Sequence, residues 1–540
     1  MHRTHTCNDL TAKNIGEEVT LAGWVSNRRD HWWIIFIDLR DRYWLTQIVF
    51  DPEYSKEAWE IADSFRSEFV IKATWKVRVR PDWQNNPNMQ TWEIEIIISK
   101  VELLAKSKTP PFEIDWHGEL ANEEIRYKHR YIDLRRPQAL ENVKFRSKFI
   151  TYTRNWFTNH DFLDVQTPLF TVSSPEWARD FLIPSRLHPG KFYALPQAPQ
   201  QYKQLLMVGW IDKYFQIAPC FRDEDPRADR HACEFYQIDC EMSFVEQQDI
   251  FKVVEDYIFD AVRDLSPSKT ILENRIFSMS YLEAMENYGS DKPDLRFDMK
   301  LIDLSEETAD CGFGVFENAL KDGGNVKAIV APNAEKFSRK YIKDLEDYVK
   351  TYFKAKGLAY IKMNENGEIN SPIAKFFSEE KLTQIIEKLG IKNNEVALIL
   401  ADKYKVVHDG LGALRLKLGE ELELIDKNAF KFLWVVDFPM FEWSEEENRY
   451  KAQHHPFTSI KEEDRKYLDT NELAKIKTDS YDIVLNGYEI GGGSIRIHEE
   501  ELQEKVFEKL GLSKEEQQDK FGFFLEVLKY GVPPHGGLAF

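Results

Sequence analysis

Cysteine is scarce in this chain of 540 residues. The five cysteines are odd in number, scattered, and without any C-x-x-C pair: Cys7, Cys220, Cys233, Cys240 and Cys311. This spacing argues against a disulfide framework and against the common zinc patterns. We therefore expect free thiols that line the core, and no metal bound by cysteine.

Long apolar runs are also missing. No stretch of eighteen apolar residues occurs, and the first ten residues, MHRTHTCNDL, lack the apolar centre of a signal peptide. We expect a cytosolic protein that does not enter a membrane. A length of 540 residues predicts three or four domains.

Positive charge is in deficit overall, because the net charge is −19. Such a balance argues against broad affinity for nucleic acid, which depends on Lys and Arg. Two local clusters run the other way: Arg28, Arg29, Arg40 and Arg42, and then Lys72, Lys76, Arg78 and Arg80. Each cluster alone is more typical of a solvated strand face than of a binding surface.

The first hundred residues are rich in short β-type segments. Five of them carry alternating or β-branched patterns, and residues 55–67 between the third and fourth have helical spacing with Ser55 as the cap. Five strands with a helix at that point predict an OB-fold barrel. The pair Pro110-Pro111 then marks a linker, and Pro137 suits the first turn of a long helix.

Six short segments carry distinctive polar patterns, and two of them, residues 220–230 and 486–498, place charge where carboxylate activation by ATP needs it. The six segments are DFLDVQTPLF (161–170), PQAPQQYKQLLM (196–207), CFRDEDPRADR (220–230), EFYQID (234–239), QHHPF (453–457) and NGYEIGGGSIRIH (486–498). Together they resemble a bacterial-type aspartyl-tRNA synthetase of class II along nearly the whole chain. The resemblance stops at Gly537–Phe540, before the arginine of the third class motif, so we expect a shortened C-terminus.

The resemblance implies an α+β multidomain fold. Its parts are an OB-fold anticodon-binding domain (1–105), a hinge (106–136), the first part of an antiparallel-sheet catalytic domain (137–287), an inserted α+β GAD-type domain (288–420) and the rest of the catalytic domain (421–540). Motif 1 includes Pro168 and implies a homodimer, although Gln166 stands where an acid is usual. Within the insertion we expect Lys362, Lys375 and Arg415 to be solvated.

Motif 2 and the glycine run imply the ATP site. An attacking carboxylate and a breaking phosphate bond need preorganised cations more than a general base. The implied ATP-binding residues are Arg222, Asp223, Glu224, Arg230, His231, Phe235 and Glu489, with Arg222 and Glu489 as the catalytic pair. Asp482 and Glu489 would hold Mg²⁺.

The remaining polar residues imply a pocket for L-aspartate. Its members would be Glu176, Gln200, Lys203, Arg222, Gln237, Asp239, His454, His455 and Arg496. Lys203 and Arg496 would clamp the side-chain carboxylate and would reject asparagine, which leaves two buried cations unpaired. For any one of these residues an ordinary structural role is the better explanation; the joint spacing of the segments favours the pocket.

The barrel would bind tRNA through stacked bases and a basic groove. The implied residues are Arg29, His31, Phe36, Gln47, Phe50, Arg78 and Trp83. His31 is the residue that such enzymes tend to carry when they charge tRNA(Asn) as well as tRNA(Asp). We therefore expect tRNA(Asp) as partner and tRNA(Asn) as a second one.

The resemblance thus implies an aspartate–tRNA ligase that uses ATP as a substrate and Mg²⁺ as the metal. A catalytically inactive tRNA-binding paralogue is the alternative, because the third motif is incomplete. A relative specific for lysine or asparagine is a further alternative, which the pair Lys203 and Arg496 opposes.

Glycine is low at 25 residues while tryptophan reaches 14. Eight tryptophans fall where the resemblance or the local turn calls for glycine: Trp32, Trp33, Trp44, Trp75, Trp83, Trp92, Trp177 and Trp210. Our hypothesis is that UGA codons stand at these positions, which the cell reads as glycine and which a different codon table translates as tryptophan. The alternative is a set of genuine or engineered substitutions.

Overall fold

A computed structural model describes residues 2–81, 91–114, 119–173, 179–224, 232–444 and 448–540. The chain divides into two compact units, Met1–Thr151 and Tyr152–Phe540. Across the part of the chain that is described, no helix is long and apolar enough to cross a membrane.

The first unit contains a closed five-stranded barrel, which confirms the expected architecture. Its strands are β1 (Glu18–His31), β2 (Ile34–Asp41), β3 (Trp44–Phe50), β4 (Val70–Val79) and β5 (Ile94–Ala105), in the order β1-β2-β3-β5-β4. Helix α1 (Lys56–Asp63) begins after Ser55, whose side chain accepts a hydrogen bond from the backbone N of Ala58 at 3.2 Å. The cap and the position of this helix follow the sequence pattern.

Three helices follow the barrel: α2 (Glu123–Lys128), α3 (Arg130–Asp133) and α4 (Pro137–Asn159). The long helix α4 begins at the proline, as expected. Within the first unit, the buried carboxylate of Glu68 accepts from Arg40 at 2.6 Å and from Arg135 at 2.7 Å. These two hydrogen bonds tie the segment before α4 to the barrel.

The second unit is built from nineteen labelled strands and ten labelled helices within the described ranges. The strands are β6 (Leu163–Asp164), β7 (Leu182–Pro184), β8 (Phe192–Ala194), β9 (Lys213–Phe221), β10 (Glu234–Ser243), β11 (Thr270–Ile271), β12 (Phe277–Ser280), β13 (Ile302–Asp303), β14 (Asn325–Pro332), β15 (Ala359–Met363), β16 (Ile369–Asn370), β17 (Glu395–Asp402), β18 (Ala429–Phe430), β19 (Phe432–Val436), β20 (Phe441–Ser444), β21 (Arg449–Ala452), β22 (Ser480–Leu485), β23 (Tyr488–Ile495) and β24 (His535–Ala539). The helices are α5 (Gln200–Val208), α6 (Gln247–Leu265), α7 (Tyr281–Tyr288), α8 (Ser305–Thr308), α9 (Gly314–Lys321), α10 (Arg339–Phe353), α11 (Glu379–Leu389), α12 (Tyr404–Glu421), α13 (Glu500–Lys509) and α14 (Lys514–Leu528).

An eight-stranded sheet in the order β12-β19-β22-β23-β24-β10-β9-β6 is the centre of this unit. It is antiparallel throughout, as expected, except for the edge pairs β12–β19 and β6–β9. Helix α6 covers one face, where Phe251 stacks on the buried Trp434 with ring centroids 4.0 Å apart. The opposite face is therefore the one left for polar side chains.

A second, five-stranded sheet lies in the segment interpreted as an insertion, in the order β13-β14-β17-β15-β16. Here the prediction for Arg415 is wrong, because this side chain is almost completely buried. Its guanidinium donates to the carbonyls of Asp294, Phe297 and Met299 and lies 4.0 Å from the ring centroid of Phe297. Arg415 thus joins helix α12 to the segment 294–299.

Three tryptophans adopt a backbone conformation that favours glycine. Trp32, Trp44 and Trp210 have φ values of 61°, 139° and 69°. Trp210 follows helix α5, and the backbone N of Ile211 bonds to Leu206 O at 3.0 Å, which is the turn that ends helices at a left-handed residue. A side chain with a Cβ is strained at such positions.

Candidate active site

The polar face of the large sheet opens into a cavity of about 870 Å³. Strands β10, β23 and β24, helix α5 and the His454-His455 loop contribute to its walls. The cavity brings together eleven of the residues expected from the sequence: Gln200, Lys203, Arg222, Phe235, Gln237, Asp239, His454, His455, Asp482, Glu489 and Arg496. Residues almost 300 positions apart in the chain therefore share one site.

The glycine run forms part of a regular strand of the floor. Gly493 on β23 faces Leu538 of β24, and a Cβ at position 493 would lie 2.0 Å from Gly537 O. A Cβ at Gly492 would lie 2.6 Å from Asp482 Oδ1. A side chain at position 492 would enter the cavity beside Asp482, whereas one at position 493 would collide with the neighbouring strand and with the buried ring of Tyr481, so both positions require glycine.

A buried cluster of two cations and two carboxylates lies deepest in the cavity. Lys203 Nζ lies 2.5 Å from Asp239 Oδ1 and 3.3 Å from Glu241 Oε2. Arg496 donates to the same Glu241 carboxylate through Nε at 2.9 Å and Nη2 at 3.2 Å. All four side chains are at most 3% exposed. Glu241 thus links the two cations that were expected to clamp a substrate carboxylate.

Glu241 was not among the expected residues. It lies two positions after Asp239 on β10, so both side chains leave the same face of the strand. Burial alone would raise the pKa of Glu241, but Arg496 and Lys203 lower it to about 2. Burial outweighs Lys203 at Asp239, whose pKa is raised. Among the described residues Asp239 Oδ2 accepts no hydrogen bond, so Asp239 is the carboxylate that would gain most from another cation.

His455 is held against Arg496. Its Nε2 accepts from Arg496 Nη1 at 2.5 Å, and its Nδ1 lies 3.3 Å from Thr458 Oγ1. Burial lowers the pKa of His455 far below the usual range and that of His454 to about 4. Both imidazoles are therefore neutral near pH 7.

The loop that carries these histidines is fixed from behind. Gln503 Nε2 on α13 donates to Pro456 O at 2.8 Å. The buried ring of Phe457 lies among Phe507, Phe521 and Phe524, with centroid distances of 4.8 to 6.2 Å. Apolar packing thus fixes the position of the loop that carries His454 and His455.

Arg222 and Phe235 form the wall at the other end of the cavity. The guanidinium carbon of Arg222 lies 5.0 Å from the Phe235 ring centroid. Asp223 and Glu224 follow Arg222 but do not line the cavity, and Asp223 is exposed. Glu176, Arg230 and His231, also expected here, lie outside the described residues.

Asp482 and Glu489 present two carboxylates to the cavity beside Gly492. The position of a Cβ on this glycine would be 2.6 Å from Asp482 Oδ1 and 3.8 Å from Glu489 Oε1, so both oxygens border the same open space. Hard carboxylate oxygens suit Mg²⁺, which commonly uses one or two of them. No cluster of three or more His, Cys, Asp or Glu side chains suited to a metal occurs in the described ranges.

Six of the seven residues expected to bind tRNA fall within the described part of the chain, and all six lie on strands of the barrel. Arg29 donates to Asp38 at 2.7 Å and to Gln47 at 3.2 Å, and Gln47 and Arg78 both bond to the buried Glu95 at 2.8 Å. Asp38 and Glu95 were missed from the sequence. These bonds form one connected polar patch.

The aromatic residues of the barrel differ in exposure. Phe50 is completely buried in the barrel core, so its expected role as a base-stacking platform is corrected to a packing role. Phe36 is 9% exposed, His31 is exposed at the end of β1, and Trp83 lies outside the described residues. Phe50 has no free face because β3 turns this side chain towards the centre of the barrel.

Comparison with protein families gives two matches. The family described as tRNA synthetases class II (D, K and N) matches residues 122–540, and the OB-fold nucleic acid binding domain matches residues 19–104. The aspartate–tRNA ligase of Bacillus licheniformis is 51% identical over 538 residues, which are 99% of this chain and 90% of that protein. The aspartate–tRNA(Asp/Asn) ligase of Anoxybacillus flavithermus is 49% identical over 539 residues, with the same coverage of 99% and 90%.

Solved structures share the fold. The asparaginyl-tRNA synthetase of Pyrococcus horikoshii with asparaginyl-adenylate has a TM-score of 0.59 at 18% identity and covers 99% of this chain and 92% of its own. The aspartyl-tRNA synthetase of Entamoeba histolytica has a TM-score of 0.55 at 15% identity, with coverage of 98% and 85%.

Proposed function

Because this chain belongs to the class II tRNA synthetases for aspartate, lysine and asparagine, we propose that the cavity on its large sheet binds L-aspartate beside ATP. The activity is that of an aspartate–tRNA ligase, which activates aspartate with ATP and transfers the aspartyl group to tRNA. The observation that supports the assignment of the cavity is the buried pair of cations, Lys203 and Arg496, on one shared carboxylate.

Lys203 and Arg496 would bind the side-chain carboxylate of aspartate, with Gln200 and neutral His455 beside it. These two cations would favour aspartate over asparagine, because the side-chain amide of asparagine carries no negative charge and its NH2 group would face N–H donors. Asp239 and Gln237 would hold the α-ammonium group. The raised pKa of Asp239 supports this role, since an added cation offsets the unfavourable burial of that carboxylate.

Arg222 would contact both the attacking α-carboxylate and the α-phosphate of ATP. Its fork of N–H donors suits two oxygen-rich partners, and the charge it supplies is already in place before reaction. Phe235 would stack on adenine. Glu176 would be a further ligand of aspartate, and Arg230 and His231 would be further ligands of ATP, whereas Asp223 and Glu224 do not line the cavity. The substrate carboxylate is itself the nucleophile, so no covalent enzyme intermediate is needed.

Asp482 and Glu489 would hold Mg²⁺ at the ATP phosphates. When bound, this ion neutralises phosphate charge and orients the leaving pyrophosphate. The open space between the two carboxylates beside Gly492 supports the assignment. Glu489 would thus act on both the metal and the nucleotide.

The barrel would read the anticodon through the polar patch of Arg29, Gln47 and Arg78, together with Phe36 and Trp83. We propose tRNA(Asn) as a second substrate, supported by the exposed His31 and by relatives named aspartate–tRNA(Asp/Asn) ligase. Charging of tRNA(Asp) and tRNA(Asn) transcripts by wild type and His31→Leu tests this. We expect the variant to lose tRNA(Asn) charging selectively; wild-type charging of tRNA(Asn) at the level of an unrelated tRNA contradicts the proposal.

The ligase would work in the cytoplasm, where tRNA is used. A second copy of the chain would cover the exposed apolar surface around motif 1. Leu169, Phe170, Val172, Leu182 and Phe192 are each 43% to 61% exposed. Exposed apolar residues in such number are typical of an interface. Sedimentation equilibrium should give a dimer for wild type and a monomer for Phe170→Asp.

Aspartate-dependent exchange of pyrophosphate into ATP tests the proposed function directly. We expect exchange with aspartate and none above background with asparagine or lysine at equal concentration. The absence of exchange with all three, together with retained tRNA binding, would instead identify an inactive tRNA-binding paralogue. Exchange driven by asparagine or lysine would overturn the assignment of Lys203 and Arg496.

A further inference from the structure

Thr167 turns inward between exposed neighbours of motif 1. Gln166 and Pro168 on either side are exposed, whereas Thr167 is half-buried. Its Oγ1 donates to Gln216 Oε1 at 3.0 Å, and its backbone N lies 3.3 Å from the same oxygen. A polar contact thus leads from the exposed segment into the sheet.

The contact continues to a buried tyrosine. Tyr214, two residues before Gln216 on β9, donates its hydroxyl proton to Gln216 Oε1 at 2.8 Å. Tyr214 is completely buried and Gln216 is 2% exposed. Gln216 Oε1 therefore accepts hydrogen bonds both from motif 1 and from the centre of the sheet.

The register of β9 and β10 places Gln216 and Tyr214 opposite the two carboxylates of the buried charge cluster. Gln216 lies opposite Asp239, and Tyr214 lies opposite Glu241. All four side chains leave the same face, since residues two apart on a strand share a face. Burial raises the pKa of Tyr214, and Asp239 is the next cause, so the hydroxyl lies within the field of that carboxylate.

We propose that Thr167, Gln216 and Tyr214 are positioning residues that hold Asp239 in place for the substrate ammonium group and join it to the exposed motif 1 segment 166–170. This inference rests on the proposed aspartate site. Lys203 is the hydrogen-bonded partner of Asp239, and Gln216 is its neighbour across the strand pair, so an ordered Gln216 would restrict the space open to the Asp239 carboxylate. Contact of a second copy with segment 166–170 would then act on aspartate affinity.

Tyr214→Phe removes the hydroxyl and keeps the ring. Loss of a buried hydrogen bond that leaves Gln216 with fewer donors should weaken aspartate binding about tenfold. We expect this change in the KM for aspartate and in the Kd from titration calorimetry, with kcat for pyrophosphate exchange within about twofold. Thr167→Val should raise the same KM about threefold.

Tyr257→Phe is the matched control. Tyr257 is also a buried tyrosine of the second unit, on helix α6, and its hydroxyl bonds at 2.8 Å to Thr153, which does not line the cavity. It should lose thermal stability to a similar extent without a change in aspartate affinity. An equal KM in Tyr214→Phe and Tyr257→Phe would overturn the proposal, because the hydroxyl would then be merely structural.

The double variant Thr167→Val/Tyr214→Phe tests the connection itself. Two residues on one path should give a combined loss of affinity smaller than the product of the single losses. Independent, multiplicative effects would contradict the connection to motif 1. If the wild-type protein binds aspartate but shows no pyrophosphate exchange, only the proposed function is overturned, because the aspartate affinities of the variants still test the positioning residues. If the wild-type protein does not bind aspartate, both proposals are overturned.

Discussion

Arg496 grips the buried carboxylate of Glu241 with two nitrogens, Nε at 2.9 Å and Nη2 at 3.2 Å. These two hydrogen bonds fix the orientation of the guanidinium and leave its Nη1 to bond to His455 and Ser494. The candidate substrate-binding cation is therefore oriented before any substrate arrives. Such preorganisation reduces the ordering that binding would otherwise require.

Glu241→Gln should destabilise the protein by about 3 kcal/mol, because two buried cations lose their common carboxylate. The pKa of about 2 means that this loss occurs at any working pH. Urea unfolding followed by tryptophan fluorescence measures it. Glu508→Gln, at an exposed position on α13, is the control and should unfold within about 0.5 kcal/mol of wild type.

Lys203→Met should lower kcat/KM for aspartate in pyrophosphate exchange at least about a hundredfold, since a buried charge facing the substrate carboxylate is lost. Methionine keeps most of the volume of the stem. The exposed Lys252→Met is the matched control. A decrease of less than about threefold would show that Lys203 has only a structural role.

Stability should fall as the pH falls from about 6.5 towards 4. His454 and His455 have lowered pKa values in the folded protein, about 4 for His454, so below pH 6.5 the unfolded chain takes up protons that the folded chain refuses. Each histidine contributes a slope of at most about 1.4 kcal/mol per pH unit in this window. Urea midpoints at pH 7.5, 6.5 and 5.5 measure the slope.

His455→Gln should flatten this pH dependence. His188→Gln, at an exposed position, should leave it as in wild type. A variant curve parallel to that of the wild type would mean that His455 carries no part of the acid sensitivity.

Trp210→Gly should raise the unfolding temperature. The left-handed backbone costs a residue with a Cβ about 1 kcal/mol, and the Trp210 side chain is 92% exposed, so little packing is lost. Trp92→Gly, at an exposed tryptophan without positive φ, should give no gain in unfolding temperature.

The intact mass of the protein from its native cell tests the codon hypothesis. A mass that corresponds to tryptophan at all eight positions would reject it.

The barrel could be predicted from the sequence because alternation of apolar residues and the Ser55 cap are local signals. Eleven residues that line the cavity could be named from the sequence because each lies in a short segment that resembles a motif of a known family. Glu241, Tyr214 and Gln216 could not, because their importance arises from the register of two strands joined by a long loop. Register determines which side chains meet across a sheet, and a single sequence does not display it.

Phe50 and Arg415 show the other limit. An aromatic residue on a barrel strand can face either way, and a lone arginine is more often solvated than buried. Arg415 is buried because three backbone carbonyls and a phenylalanine ring together replace water around it. Partners that come from another part of the chain leave no local pattern.

The bare strand at Gly492 and Gly493 also limits how this protein can change. Any side chain there would collide with the opposing backbone or with Asp482. Neither position can accept a side chain unless the neighbouring strand or Asp482 shifts. A change in the shape of the cavity would therefore have to come from the side chains of its walls.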